Sequence, residues 1–158
     1  MKNPVIKKII LATDFSEASK NATYHAILEA KKHNAKLTAM HVFDTSVWNI
    51  PAHYYFAPAR PPGFSDLIED CEKARQRGRE TLKIFEKSFN TEVESVFRES
   101  DEVGEEIVNF SKEQNADLLV LGTHGYGGWN RLTMGSVAEF VVRNAPCAVL
   151  TVKPEGKK

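Results

Sequence analysis

The 158-residue chain holds only two cysteines, Cys71 and Cys147, 76 positions apart and in no CxxC or metal-type spacing. That spacing speaks against a disulfide framework or a cysteine metal site, and both thiols read as reduced packing residues. Charge of either sign is not in excess: Lys plus Arg and Asp plus Glu are each 21. Such a balance argues against broad electrostatic capture of nucleic acid or an anionic membrane. The lysines at the two ends, Lys2, Lys7, Lys8, Lys153, Lys157 and Lys158, read as solvated. No apolar run approaches the ~18 residues of a membrane span. The N-terminus carries neither the apolar core nor the small-residue cleavage site of a secretory signal, so a cytoplasmic location is expected. Two phosphate-binding signatures are also missing. There is no GxxxxGK[ST], and no GxGxxG follows the first apolar run, which argues against a P-loop and against a nicotinamide or flavin dinucleotide site.

What remains is an ordinary globular composition, 42% apolar and 27% charged, of a size that fits a single domain over residues 1–158. Five short apolar runs predict strands: Val5–Ala12, Leu37–Val42, Val93–Phe97, Leu118–Leu121 and Ala148–Val152. Helical patterns separate them. Ala18, Ala22, Ala26 and Ala30 form a small-residue stripe that lets a helix sit close to a sheet. Leu67, Cys71, Ala74, Gly78, Leu82, Phe85 and Phe89 step by three or four along a longer helix. Val103, Ile107 and Phe110 mark a third, with Asp101 as its candidate N-cap, and a fourth runs from about Ser136 to Arg143. Asn34-Ala35, Asn115-Ala116 and Asn144-Ala145 each follow a helical pattern and precede an apolar run. Asparagine tolerates the left-handed conformation that closes helices, so one joint is predicted three times. The order β-α-β-α-β-α-β-α-β means parallel strands joined by right-handed crossovers, with helices on both faces of an open sheet. Only residues 44–64, with four of the seven prolines and five of the fifteen aromatics, fit no period. A loop this long is read as a flap or contact surface, with a tolerated insertion as the alternative.

In such a sheet a ligand lies outside the carboxyl ends of the strands, where their order reverses. With the order 3-2-1-4-5, "LATDFS" (11–16) and "VLGTHG" (120–125) form the two walls of that crevice. Ala12, Thr13 and Asp14 stand on one side and Leu121 and Gly122 on the other. Five of nine glycines fall in "VLGTHGYGGWNRLTMGS" (120–136), where backbone must come close to something. The loop ends where the fourth helix begins. There the first amides have no internal partner, so Gly135, Ser136 and Val137 are candidates to hold a phosphate chain. Gly122 and Gly125 would admit close backbone approach. Asp14 would repel phosphate oxygens and so accepts from a ribose hydroxyl or the base edge. His124 is a candidate phosphate contact. His41 reads as a satisfied or half-buried residue, and a zinc triad of His41, His53 and His124 has no supporting spacing. Adjacent acids such as Glu105 and Glu106 point apart on a helix and read as surface.

Gly122, Gly125, Gly135 and Ser136 fit the pattern Gly-x2-Gly-x9-Gly-[Ser/Thr]. In this, in "IILATDFSEAS" (9–19) and in "NAPCAVLTVK" (144–153), the chain resembles the ATP-binding branch of the universal stress proteins across essentially its whole length. The resemblance implies a Rossmann-like five-stranded parallel sheet, ATP with Mg2+ as ligand, and Asp14 near the nucleoside. It further implies Val42 as a backbone contact to adenine, and Gly122, Gly125, Gly135, Ser136 and Val137 at the ribose and phosphates. The loop interior, "YGGWNRL" (126–132), departs from the family, and Arg131 is taken as a phosphate contact within it. Family members often pair through the last strand, so a homodimer through Ala148–Val152, apolar on both faces at a sheet edge, is expected. The function so implied is a nucleotide-dependent regulatory module that hydrolyses ATP slowly or not at all, read by protein partners that the sequence leaves unknown. Two other readings stay open: a slow ATP hydrolase or adenylyl-transfer enzyme assisted by His124 or Arg131, and a dimeric scaffold that binds no nucleotide.

Overall fold

A computed structural model describes residues 5–48, 62–89, 92–123 and 134–154. Within them the chain runs β1 (Lys8–Ala12), α1 (Glu17–His33), β2 (Lys36–Asp44), α2 (Phe64–Lys87), β3 (Val93–Ser100), α3 (Val103–Glu113), β4 (Leu118–Gly122), α4 (Ser136–Asn144) and β5 (Ala148–Val152). A single 3-10 turn, Ser46–Trp48, follows β2. All pairings are parallel, in the order β3-β2-β1-β4-β5. This is the α/β sheet, wound in both directions from β1, that the alternating pattern predicts.

The apolar strands are continuous because the sheet is covered twice. Ile9 and Leu11 pack on one face with Ala22, Ala26 and Ala30 of α1, while Ile10 and Ala12 pack on the other with Ile107, Val108, Ala138 and Val141 of α3 and α4. The alanine stripe is buried from Ala18 to Ala30, as its spacing requires. On α2 the pattern is only partly used: Cys71 and Leu82 are buried but Leu67 is exposed. A 24-residue helix is about 36 Å long and eight-residue β3 about 26 Å, so part of the helix overhangs the strand it covers. Cys71 and Cys147 are both free thiols.

Three local expectations are corrected. β1 starts at Lys8 rather than Val5. The Asp117 carboxylate takes the Lys7 and Lys8 amides at 2.8 and 2.9 Å, ending the ladder there. Asp101 does not cap α3. The cap position is Glu102, one residue later, and it is the Ser100 hydroxyl that accepts the Glu102 amide, at 3.0 Å. Asn34 and Asn115 do close their helices in the left-handed conformation, at φ 50° and 51°. Asn144, however, is the last residue of α4, and Ala145 leaves it extended at φ −62°, ψ 139°. Pro146 excludes a helical or closing turn at the residue before it, so the third joint is built differently.

Candidate functional site

The parallel pairing of β1 with both β2 and β4 brings two strand ends together, and the chain diverges from each to the opposite face. On the β1 side the turn into α1 is built from its own short polar side chains. The Phe15 amide donates to Thr13 Oγ1 (3.1 Å), and Ser16 donates both its amide (3.0 Å) and its hydroxyl (2.6 Å) to Asp14 Oδ1. Ser16 is also the N-cap of α1, accepting the Ser19 amide. Asp14 is thereby fixed in direction through one oxygen, and among the described residues nothing engages Oδ2. Phe15, at φ 65°, makes the reversal, and its ring packs against His41 (4.7 Å) and Phe85 (5.7 Å).

The next strand contributes backbone. The Met40 carbonyl accepts the Thr13 amide at 2.9 Å, so the peptide groups of Met40 face β1. Directions alternate along a strand, and those of Val42 face the same way, past the point where β1 ends. His41 holds the Thr13 carbonyl through Nδ1 at 2.8 Å. A carbonyl can only accept, so Nδ1 carries the proton. Burial holds the His41 pKa below its ordinary value, against the opposing pull of the Thr13 bond and the Asp14 charge, so the ring is neutral near pH 7.

On the β4 side, Thr123 donates its amide to Val152 (2.9 Å) and accepts the Gly135 amide (2.8 Å), which sets α4 directly beside the end of β4. Gly135 is the N-cap of α4 and brings no capping side chain. Its carbonyl accepts the Glu139 amide, and among the described residues no acceptor meets the amides of Ser136, Val137 or Ala138. The Gly135 amide read from sequence as a phosphate donor is therefore already engaged, and the donors of this helix start lie one to three residues later. Gly122 also meets a packing demand. A Cβ there would stand 2.9 Å from the Ala18 carbonyl carbon and 3.0 Å from Ala18 Cβ, so the missing side chain lets α1 lie on β4.

These elements enclose a cavity of about 400 Å³, within the size range of small-molecule sites. Ala12, Thr13, Asp14, Val42, Leu121, Gly122, Gly135, Ser136 and Val137 all line it. Sequence reasoning missed Ser19, Met40, Val103, Ile107, Thr123 and Ala138, which line it too. Val103 and Ile107 were visible as a helical stripe, but periodicity does not tell a stripe that meets a core from one that meets a cavity. His124, Gly125 and Arg131 lie outside the described residues, as do Tyr126–Leu132, His53 and residues 49–61 of the long loop. Among the described residues the result is a pocket with an apolar slot of Ala12, Met40, Val42, Val103, Ile107 and Leu121, one oriented carboxylate, and a helix start whose first amides meet no acceptor. Its chemistry suits a molecule with a flat apolar part, hydroxyls and an anionic tail.

Residues 6–153 match the sequence profile of the universal stress protein family. The chain is 37% identical to a universal stress protein of Methanocaldococcus jannaschii over 155 residues, covering 96% of this chain and 85% of that one. The solved structure of UspA from Lactobacillus plantarum superposes with a TM-score of 0.70 at 25% identity, over 95% of this chain and 99% of that one. The universal stress protein from Archaeoglobus fulgidus, solved in complex with dAMP, gives a TM-score of 0.56 at 22% identity, over 95% of this chain and 100% of that one. At that identity the likeness is one of fold.

Proposed function

The chain belongs to the universal stress protein family, and from that premise we propose that it binds ATP between the ends of β1 and β4 and acts as a nucleotide-dependent regulatory module. The observation that carries the reading is the open start of α4. Among the described residues the amides of Ser136, Val137 and Ala138, at the positive end of a helix dipole, meet no acceptor, and these residues line the same cavity as a carboxylate with one oxygen that no described group engages. The dAMP carried by the Archaeoglobus fulgidus relative makes an adenine nucleotide the natural candidate.

In this reading adenine occupies the apolar slot between Ala12, Val42 and Leu121 and takes its edge contacts from the Val42 backbone. Asp14 Oδ2 accepts a ribose hydroxyl beside Thr13 and Gly122. The Ser136 and Val137 amides and the Ser136 hydroxyl hold phosphate oxygens next to Gly135, with Gly125, His124 and Arg131 completing the phosphate end. Among the described residues no group of three His, Cys, Asp or Glu side chains could hold a metal. Mg2+ would therefore arrive on the phosphates of ATP, as it commonly does. No described residue stands as an oriented base for attack on the γ-phosphate, so binding rather than turnover is the proposed activity. A homodimer would form through β5, an edge strand whose Val149 and Leu150 are only partly covered.

The test is to analyse nucleotide retained through purification and then to follow ATP with and without Mg2+. Bound ATP that persists supports the switch, steady ADP release supports a hydrolase, and absence of both retention and thermal shift supports an empty scaffold. Gly135→Val should abolish ATP binding and leave the fold intact, and Asp14→Ala should weaken it more modestly. Retained affinity in the valine variant would remove the phosphate assignment.

A further inference from the structure

A parallel ladder that gives the Thr13 amide to the Met40 carbonyl would next give the Val42 amide to the Thr13 carbonyl. The first bond is present at 2.9 Å and the second is not. The carbonyl that Val42 would have used is held by the side chain of His41, whose Nδ1 lies 2.8 Å from it. One imidazole thus stops the sheet a rung early. It leaves the Val42 N–H, which faces past the end of β1, without an acceptor among the described residues, at a position lining the cavity.

The imidazole is held in place for this. Its ring sits between Phe15 (4.7 Å) and Phe97 (5.7 Å), with the Gly78 backbone of α2 close to Nε2. A Cβ at Gly78 would lie 3.5 Å from Nε2, so the helix leaves the ring little room to swing away. An unpaired amide at a sheet end costs stability where water is excluded. Keeping one open makes physical sense where a ligand supplies the acceptor.

We propose that His41 is a positioning residue: by capping the Thr13 carbonyl it keeps the Val42 amide available to an acceptor atom on the edge of the bound base. The part of this claim that concerns a base rests on the nucleotide reading above; the part that concerns the amide does not.

Amide hydrogen exchange on the ligand-free protein tests the second part alone. In the native protein the Val42 amide should exchange at least about a hundredfold faster than that of Met40, two residues earlier in the same strand. In His41→Leu, which removes the donor, the Thr13 carbonyl is released to Val42 and exchange at Val42 should slow by about tenfold or more. His41→Asn, whose side-chain N–H can stand where Nδ1 stands, should restore fast exchange. ATP affinity, measured by calorimetry, should fall roughly tenfold in the leucine variant and recover in the asparagine variant, a rescue that a merely structural role would not produce. A Val42 amide as protected as Met40 in the native protein overturns the proposal without any variant having to fold. So does unchanged Val42 exchange in a folded His41→Leu. Should exchange behave as stated while the native protein binds no ATP, the nucleotide reading fails and the positioning of the amide stands.

Discussion

Gly122→Ala isolates the contact that sets the width of the site. The added Cβ would meet the Ala18 carbonyl carbon at 2.9 Å, Ala18 Cβ at 3.0 Å and the Ser19 amide nitrogen at 3.1 Å, where ordinary contact begins at 3.4 Å. All three atoms belong to the helix backbone or its first side-chain carbon, so no rotamer change relieves the clash and α1 must retreat by about half an ångström. Overpacking of this kind costs about 1–3 kcal/mol. The lower entropy of the unfolded alanine chain returns about 0.4–1 kcal/mol. At mid-range the net is a loss of about 1.3 kcal/mol, or about 3–5 °C in melting temperature for a chain of this length. Urea unfolding followed by circular dichroism measures it as a lower midpoint with an unchanged slope. The φ of Gly122 is not in the left-handed region, so nothing but space penalises the alanine. A midpoint that stays level or rises would refute the reasoning, because an unhindered glycine-to-alanine change should stabilise.

Two further outcomes follow from the same geometry. Gly135→Asp gives α4 the capping side chain it lacks and an anion at its positive end, so the ligand-free protein should gain about 0.5–1 kcal/mol, read as a higher melting temperature. The same carboxylate would occupy the amides proposed for phosphate, so ATP affinity should fall; a variant that gains both stability and affinity would contradict the assignment. Because burial holds the His41 pKa below its ordinary value, the unfolded chain takes up that proton first as pH falls. The stability linked to it is therefore complete above about pH 6.5, the ordinary histidine value, and is lost as pH drops through the lower, folded pKa. Urea midpoints between pH 7.5 and 5 should fall for the native protein and stay flatter for His41→Asn; parallel profiles would show that His41 carries no such linkage.

How much of this was legible in the residues depends on the distance over which a signal acts. Sheet order is readable because the central strands β1 and β4 are nearly continuous apolar runs and each connection carries a helix, and the rules for crossovers leave few arrangements. That Asp14 and Gly122 line one cavity follows from that order. Position within a turn was harder. Asp101 has the side chain a cap prefers, yet the cap position falls at Glu102, where the Ser100 hydroxyl takes the amide, and Asn144 looks like Asn34 until the constraint imposed by Pro146 on its neighbour is weighed. The packing role of Gly122 is hidden for a physical cause. A glycine at a strand end suits a ligand and a packed helix equally, and the second demand shows only once Ala18 is placed. His41 was read correctly as half-buried and satisfied, yet its partner, a carbonyl 28 residues earlier, belongs to tertiary structure and leaves no periodic trace.

The bond from the Gly135 amide to the Thr123 carbonyl has a corollary. It staples the chain's point of departure from the sheet to its point of return, so residues 123 and 135 themselves tie the helix start to the end of β4. Inserting residues into a span already closed at its base costs little, about 0.6 kcal/mol for each doubling of length. Changes of length between residues 123 and 135 should therefore leave the amides at the start of α4 where they are.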